Sequence, residues 1–451
     1  MSERIPILSH VKALLALGIP LIGSNVAQVA LHVSNTVMLG WYDVTALAAA
    51  TLATASYIVL FHFGAGFAQA VMPLVAEAAG TRDETTARRV TRMGMWLSVF
   101  YGILLLPLMF WSRPLFGVLG QDPVVSELAQ TYLRIVGPAL IPALVVMVLR
   151  SYLAALGRTQ VVLWVTLTGL AVNIVANWAL IFGNWGFPEL GIAGAATASA
   201  LVQLVTMGLL AGYAAWLPEL RHNRLFQRIW KPDWQAFGRV FRLGWPIGLT
   251  SLAESSLFTA AAVMMGWIGP KPLAAHGIAM ELTALAFMLH VGLSNAATVR
   301  SGRFLGERNW PELRRGAVVA ICLSAICGVG IIVTILTIPG PLIELFLSPS
   351  ETDREAIIAI GTALLAAAAV FQFGDAAQVM ALGLLRGVQD TRVPMFIAGL
   401  SYWIVGVPAS YLLGFHFGLG PEGIWYGLAV GLILAATLLL LRFWTRALRQ
   451  Q

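Results

Sequence analysis

Apolar residues run along this chain in long unbroken stretches, not in the two-residue alternation of a half-buried strand or the narrow stripe of a surface helix. The stretches cover roughly 14–38, 48–76, 91–117, 128–152, 160–183, 191–216, 240–268, 273–299, 316–346, 356–385, 393–417 and 421–445. Each is long enough, as a helix, to cross a hydrocarbon core of about 30 Å. A helix that is apolar all round has no face to offer water, so the pattern predicts an all-α polytopic membrane protein with twelve transmembrane helices. The first run, after Lys12, is longer than a signal-peptide core and lacks a small-residue cleavage pattern, so it is expected to be kept as the first span.

The polar punctuation orients the bundle. Of 28 Lys and Arg, all but Arg113, Arg134, Lys271 and Arg354 belong to the N-terminus, the even-numbered loops or the C-terminus; among them are Arg4, Arg150, Arg221, Arg224, Arg386 and Arg449. The other loops carry Asp43, Asp122, Glu189, Glu351, Asp353 and Glu422 instead. Basic loops stay on the cytoplasmic side, which predicts two cytoplasmic termini in a cell (inner) membrane.

Composition sharpens this picture. The chain is 59% hydrophobic and 11% charged, against about 25% charged in soluble proteins. Its net charge of +7 is spread over short loops, not gathered on one face, so no nucleic-acid partner is expected. Cys322 and Cys327 share one apolar segment at a spacing that does not face them together, and they read as buried, inert thiols.

The chain also repeats itself. A shift of 226 residues brings Gly18 and Pro20 onto Gly244 and Pro246, Met38-x-Gly40-Trp41 onto Met264-x-Gly266-Trp267, and Arg88-Arg89 onto Arg314-Arg315. A shift of 232 takes Thr159 to Thr391, Gly186 to Gly418 and Gly191-Ile192 to Gly423-Ile424. Two six-helix lobes, 1–225 and 226–451, are therefore expected. An even number of spans in each lobe enters the membrane the same way round, which relates the lobes by a pseudo-twofold axis along the membrane normal, as in rocking transporters.

The repeat isolates the candidate chemistry. Glu254 in SLAESSLF aligns with Gln28, Asp375 in FQFGDAAQVM with Ala143, and Glu281 with Ala55. Acids deep in apolar spans thus occur only in the second lobe. An intramembrane carboxylate costs about 2.5–3.5 kcal/mol at a helix centre, and such residues mark ion and substrate pathways. Desolvation disfavours the charged form, so each acid is expected to take up a proton or to face a cation. Ser255 and Phe258 sit beside Glu254, and Gln372, Asp375 and Gln378 form a polar stripe at three-residue spacing, which should turn from lipid toward the bundle interior. Glu281 lies nearer the end of its span. In the first lobe, Asn25, Gln28, His32 and Asn35 recur at helical spacing, and Asn173 and Asn177 share a face; such groups line a cavity or bond across helices. His62, His276 and His290 lack metal-ligand spacing and read as satisfied bundle histidines. No nucleotide-binding P-loop, zinc-protease motif, nucleophile elbow or channel-filter sequence is present, so neither an enzyme nor a nucleotide-driven pump is expected.

Four segments carry a family resemblance: SNTVMLG (34–40), LAESSLF (252–258), SNAATVRSGRFLG (294–306) and FQFGDAAQVMALGLLRGVQDTRVPM (371–395). Over essentially its whole length the chain resembles the multidrug and toxic compound extrusion (MATE) transporters, most closely their NorM-like branch. The resemblance implies a two-lobed, twelve-helix antiporter that exports organic cations from the cytoplasm in exchange for inward H⁺ or Na⁺; amphipathic cations are the expected substrates, no cofactor is expected, and a single chain with two lobes needs no partner, so a monomer is expected. It also implies that Glu254 and Asp375 couple the ion, and that they would be its metal ligands were Na⁺ the ion. Two positions depart from the family pattern: Asn35 stands where an Asp is frequent, and Phe371 where some relatives have Tyr. The bulky apolar face of Phe258, Met264 and Phe371 is expected to pack against substrate, with Gln28, Asn35, Asn173, Asn177, Ser255, Glu281, Gln372 and Gln378 as further lining. The competing expectation is a flippase for a lipid-linked saccharide, which would require a cationic cavity for a pyrophosphate headgroup.

Overall fold

The computed structural model describes residues 5–217, 225–347 and 353–449. Arg4, Arg221, Arg224 and Glu351, and the side chain of Arg449, lie outside the described residues.

Among the described residues, twelve helices long and apolar enough to span a membrane succeed one another: α1 (Ile7–Tyr42), α2 (Val44–Gly80), α3 (Glu84–Phe110), α4 (Pro123–Ala155), α5 (Thr159–Phe182), α6 (Ile192–Trp216), α7 (Trp234–Ile268), α8 (Pro270–Gly306), α9 (Trp310–Thr337), α10 (Arg354–Gly387), α11 (Arg392–His416) and α12 (Gly420–Arg449). No strand occurs among the described residues.

Two kinds of boundary differ from the hydropathy reading. The third and ninth apolar runs each break into a spanning helix and a short second one, Arg113–Val118 and Pro339–Glu344, because a proline in the first turn opens a new helix where the apolar character does not change. Several arginines assigned to loops, among them Arg89, Arg150, Arg300, Arg315 and Arg386, lie inside helices that continue past their apolar runs. Arg150 is buried and donates to Ser24 Oγ at 2.8 Å, so it is part of the bundle interior and not of a loop.

The sequence repeat is visible in the backbone. Arg82 and Arg308, 226 residues apart, both turn with positive φ (58° and 52°), and so do Gly157 and Gln389 (80° and 57°) and Gly186 and Gly418 (83° and 70°) at the second shift. Asp83 caps α3 by accepting from Thr86 N, and Asn309 caps α9 by accepting from Glu312 N. The two short helices fall at the same shift of 226.

The chain divides into two compact units, Gly23–Gly248 and Met1–Ile22 with Leu249–Gln451. This division differs from the repeat boundary at 225/226 because α1 and α7 each contribute their two halves to different units. Close glycine contacts explain it. In the first unit a Cβ on Gly66 of α2 would strike the backbone of Gly244 and Gly248 on the first half of α7; in the second a Cβ on Gly292 of α8 would meet Ile22 on the first half of α1, its Cα at 3.0 Å.

The enclosed helix of the first unit is α4, against α2, α3 and α6; that of the second is α10, against α8, α9 and α12. Leu140, Leu144, Met109 and Phe116 fill the first core, and Trp425, Phe371, Leu365 and Phe443 the second. Neither cysteine is buried: Cys322 is exposed and Cys327 half-buried, both free, because only one side of α9 packs into its unit. This corrects the expectation of buried thiols.

Candidate functional site

The site is built around α10. Its polar stripe faces inward: Gln372 and Gln378 are fully buried and Asp375 is 1% exposed. Two hydroxyls on α8 fix this orientation by donating to backbone carbonyls of α10, Ser294 Oγ to Val379 at 2.8 Å and Thr298 Oγ1 to Gly383 at 2.8 Å. Close approach of α8 is possible because residue 383 is glycine. The opposite wall is the second half of α7, from which Glu254 accepts a hydrogen bond from Gln378 Nε2 at 3.4 Å. Glu254 and Asp375 lie within charge–charge range of each other, and Arg386, two turns beyond Gln378, is within range of Glu254.

Several polar atoms along this stripe have no hydrogen-bond partner. Asp375 Oδ1, Gln378 Oε1 and both amide atoms of Gln372 are buried without a hydrogen-bond partner. Unpaired groups of this kind cost about 1–3 kcal/mol each. Among the described residues no group of three or more His, Cys, Asp and Glu could hold a metal. An oxygen shell around Na⁺ here would draw on the amides and hydroxyls beside the two acids.

An aromatic row flanks the acids: Phe258 meets Phe371 edge-on at 5.9 Å, Phe371 meets Trp425 at 5.3 Å, and Trp425 Nε1 donates to His276 Nδ1 at 3.1 Å. Phe371 and Met264 are buried in this conformation, whereas Phe258 and Ser255 are half-buried. Glu281 is exposed and has no hydrogen bond or ion pair with the acidic cluster among the described residues. His290 bonds Ser324 Oγ through Nδ1 at 2.9 Å, while its Nε2 lacks a partner.

The neutral residues of the first lobe form a separate cluster. Asn177 Nδ2 donates to Asn35 Oδ1 at 2.7 Å and to Asn173 Oδ1 at 3.2 Å, and Asn35 Nδ2 donates to Ser199 Oγ at 3.3 Å. Gln28 is exposed and stands apart from this set of bonds. Ser199 was not singled out by the sequence, nor were Arg386 and Tyr402, which stand near the acids. The inward turn of an arginine that closes an apolar run was the one signal available.

A profile of the family described as MatE matches residues 20–179 and again 246–412, once in each repeat. The chain is 43% identical to "Probable multidrug resistance protein NorM" of Rhizobium meliloti over 98% of this chain and 94% of that one, and 41% identical to the protein of the same name from Agrobacterium fabrum over 96% and 94%. The fold is that of a MATE solved in complex with MaL6 (TM-score 0.89, 21% identity, 97% of this chain and 96% of that one) and of an outward-facing multidrug resistance MATE transporter of the MOP superfamily (TM-score 0.88, 21% identity, 98% and 96%). With a profile matching both repeats and relatives of this identity along nearly the whole chain, this protein belongs to the MatE family, among its NorM-named members, and is a multi-pass membrane transporter and not an enzyme.

Proposed function

We propose that the protein is a secondary antiporter that exports amphipathic organic cations from the cytoplasm in exchange for inward H⁺ or Na⁺, with Glu254 and Asp375 as the coupling groups. The observation that carries this reading is the pair of carboxylates on α7 and α10, with Asp375 Oδ1 buried and unclaimed by any protein donor. Two acids within range of each other are harder to ionise together than apart, so a proton or metal ion arriving at one weakens their joint hold on a cationic substrate. A bound ion then supplies the differential affinity that a change between inward- and outward-open states requires. The names of the relatives support multidrug efflux as the transport task. The aromatic row of Phe258 and Phe371 offers adaptable apolar contact for varied substrates.

In the same reading the protein acts as a monomer in the inner membrane with both termini cytoplasmic, and its repeats 1–225 and 226–451 are lobes related by a pseudo-twofold axis along the membrane normal. The test is efflux of a fluorescent organic cation from proteoliposomes under an inward Na⁺ or pH gradient, with wild type, Glu254→Gln and Asp375→Asn. One gradient should drive efflux, thereby naming the ion, and both substitutions should abolish it. Undiminished efflux in both variants would remove the acids from the mechanism; absence of efflux under either gradient would favour the flippase.

A further inference from the structure

Helix α11 is not a regular α-helix. Its backbone opens into a π-helical turn over Leu400–Gly406, returns to α over Val407–Tyr411, and opens again over Leu412–His416. Each π turn inserts a residue relative to 3.6-residue periodicity and rotates the rest of the helix about its axis. The first π turn packs tightly on α12, where a Cβ on Gly431 would lie 2.9 Å from the Ser401 carbonyl oxygen. On the other side Trp403 Nε1 donates to Ser256 Oγ at 3.1 Å, two residues from Glu254 on α7.

Between these two anchors lies Tyr402. Its side chain is fully buried, and its hydroxyl has no hydrogen-bond partner. A buried phenol normally finds one, because an unpaired hydroxyl forfeits the bond it made to water. The charged groups that face it are Glu254 from α7 and Asp375 and Arg386 from α10, all within electrostatic range. Tyr402 thus lies within electrostatic range of Asp375, and both the Tyr402 hydroxyl and Asp375 Oδ1 are buried without a partner.

We propose that the Tyr402 hydroxyl completes the ion site of Glu254 and Asp375, giving its oxygen to the ion when it is bound. The proposal rests on the antiporter reading above and adds a third ion-binding group from a third helix. Tyr402 lies within the π turn, buried, while its neighbour Trp403 bonds α7.

The test compares Tyr402→Phe with wild type, Glu254→Gln and Asp375→Asn in the same proteoliposome assay. The variant should need about fivefold more of the driving ion for half-maximal efflux, as expected for one lost ligand. Its melting temperature without ion should not fall, since the hydroxyl has no partner to lose. An unchanged ion dependence in Tyr402→Phe, with the two acid variants inactive, overturns the proposal and leaves the antiporter reading standing; normal efflux by the acid variants overturns both. Should Tyr402→Phe fail to fold, 3-fluorotyrosine at position 402 keeps the hydroxyl. Its ¹⁹F resonance should move on titration with Na⁺ or protons, and a stationary resonance overturns the proposal.

Discussion

Gln378 of α10 donates its side-chain amide to Glu254 of α7 at 3.4 Å and thereby joins the two helices that carry the acids. The bond is long, so its contribution is that of an ordinary hydrogen bond, about 1 kcal/mol, and not that of a short charge-assisted one. Gln378→Leu keeps the volume and deletes the donor. The variant should lose about 1 kcal/mol of orientation at Glu254, read as a roughly fivefold change in the ion concentration for half-maximal efflux. An unaltered ion titration would show that Glu254 is held by other groups.

The approach of α8 to α10 depends on residue 383 having no side chain. A Cβ there would lie 2.6 Å from the Ser294 carbonyl oxygen, a backbone atom that cannot swing aside. Gly383→Ala should destabilise the protein by about 1–3 kcal/mol through overpacking and also disturb the Thr298 bond to the Gly383 carbonyl. Thermal unfolding of purified protein measures it; a melting temperature equal to wild type would mean that α8 withdraws at no cost.

The asparagine cluster of the first lobe contains no charge, and its bonds run from one side-chain amide to the next. Asn177→Leu should leave Asn35 and Asn173 without their donor and cost about 1–3 kcal/mol. Ion dependence of efflux should stay that of wild type, because the acids are in the other lobe. A shift in ion dependence would assign this cluster a part in coupling.

Much of this was legible in the sequence. Span number and order come from the apolar runs because lipid permits few ways to satisfy a backbone, and the inward face of Gln372, Asp375 and Gln378 comes from their three-residue spacing. Tyr402 was not legible. It lies in a π turn, which no 3.6-residue count anticipates, so its burial could not be read from spacing. Arg150 and Arg386 were misplaced because hydropathy registers where apolar character ends, whereas the helix ends where its hydrogen bonds do.

Asp233, which lies outside the spanning helices, is gripped by Arg89 through both Nε and Nη2, the second at 3.2 Å to Oδ1. The Arg89 guanidinium holds the Asp233 carboxyl below its usual range, with the Ala236 backbone N–H helping. A carboxylate whose folded pKa is depressed contributes stability above its unfolded value of about 3.9 and loses it as pH falls through the folded value. Both side chains are partly exposed, which limits the pair to about 1 kcal/mol or less. Asp233→Asn should therefore melt slightly below wild type at pH 7, and the difference should shrink as the pH drops under about 4. A gap that persists in acid would point to lost packing instead.

The division of α1 and α7 between the two units has a genetic consequence. Residues 1–22 complete the unit formed by 249–451, and residues 226–248 complete the one formed by 23–225. A gene severed at the repeat boundary would yield two polypeptides, each holding the missing packing partner of the other. Neither would bury its own glycine contacts alone, so cuts that leave each unit whole would fall at 22/23 and 248/249 and not at the repeat boundary.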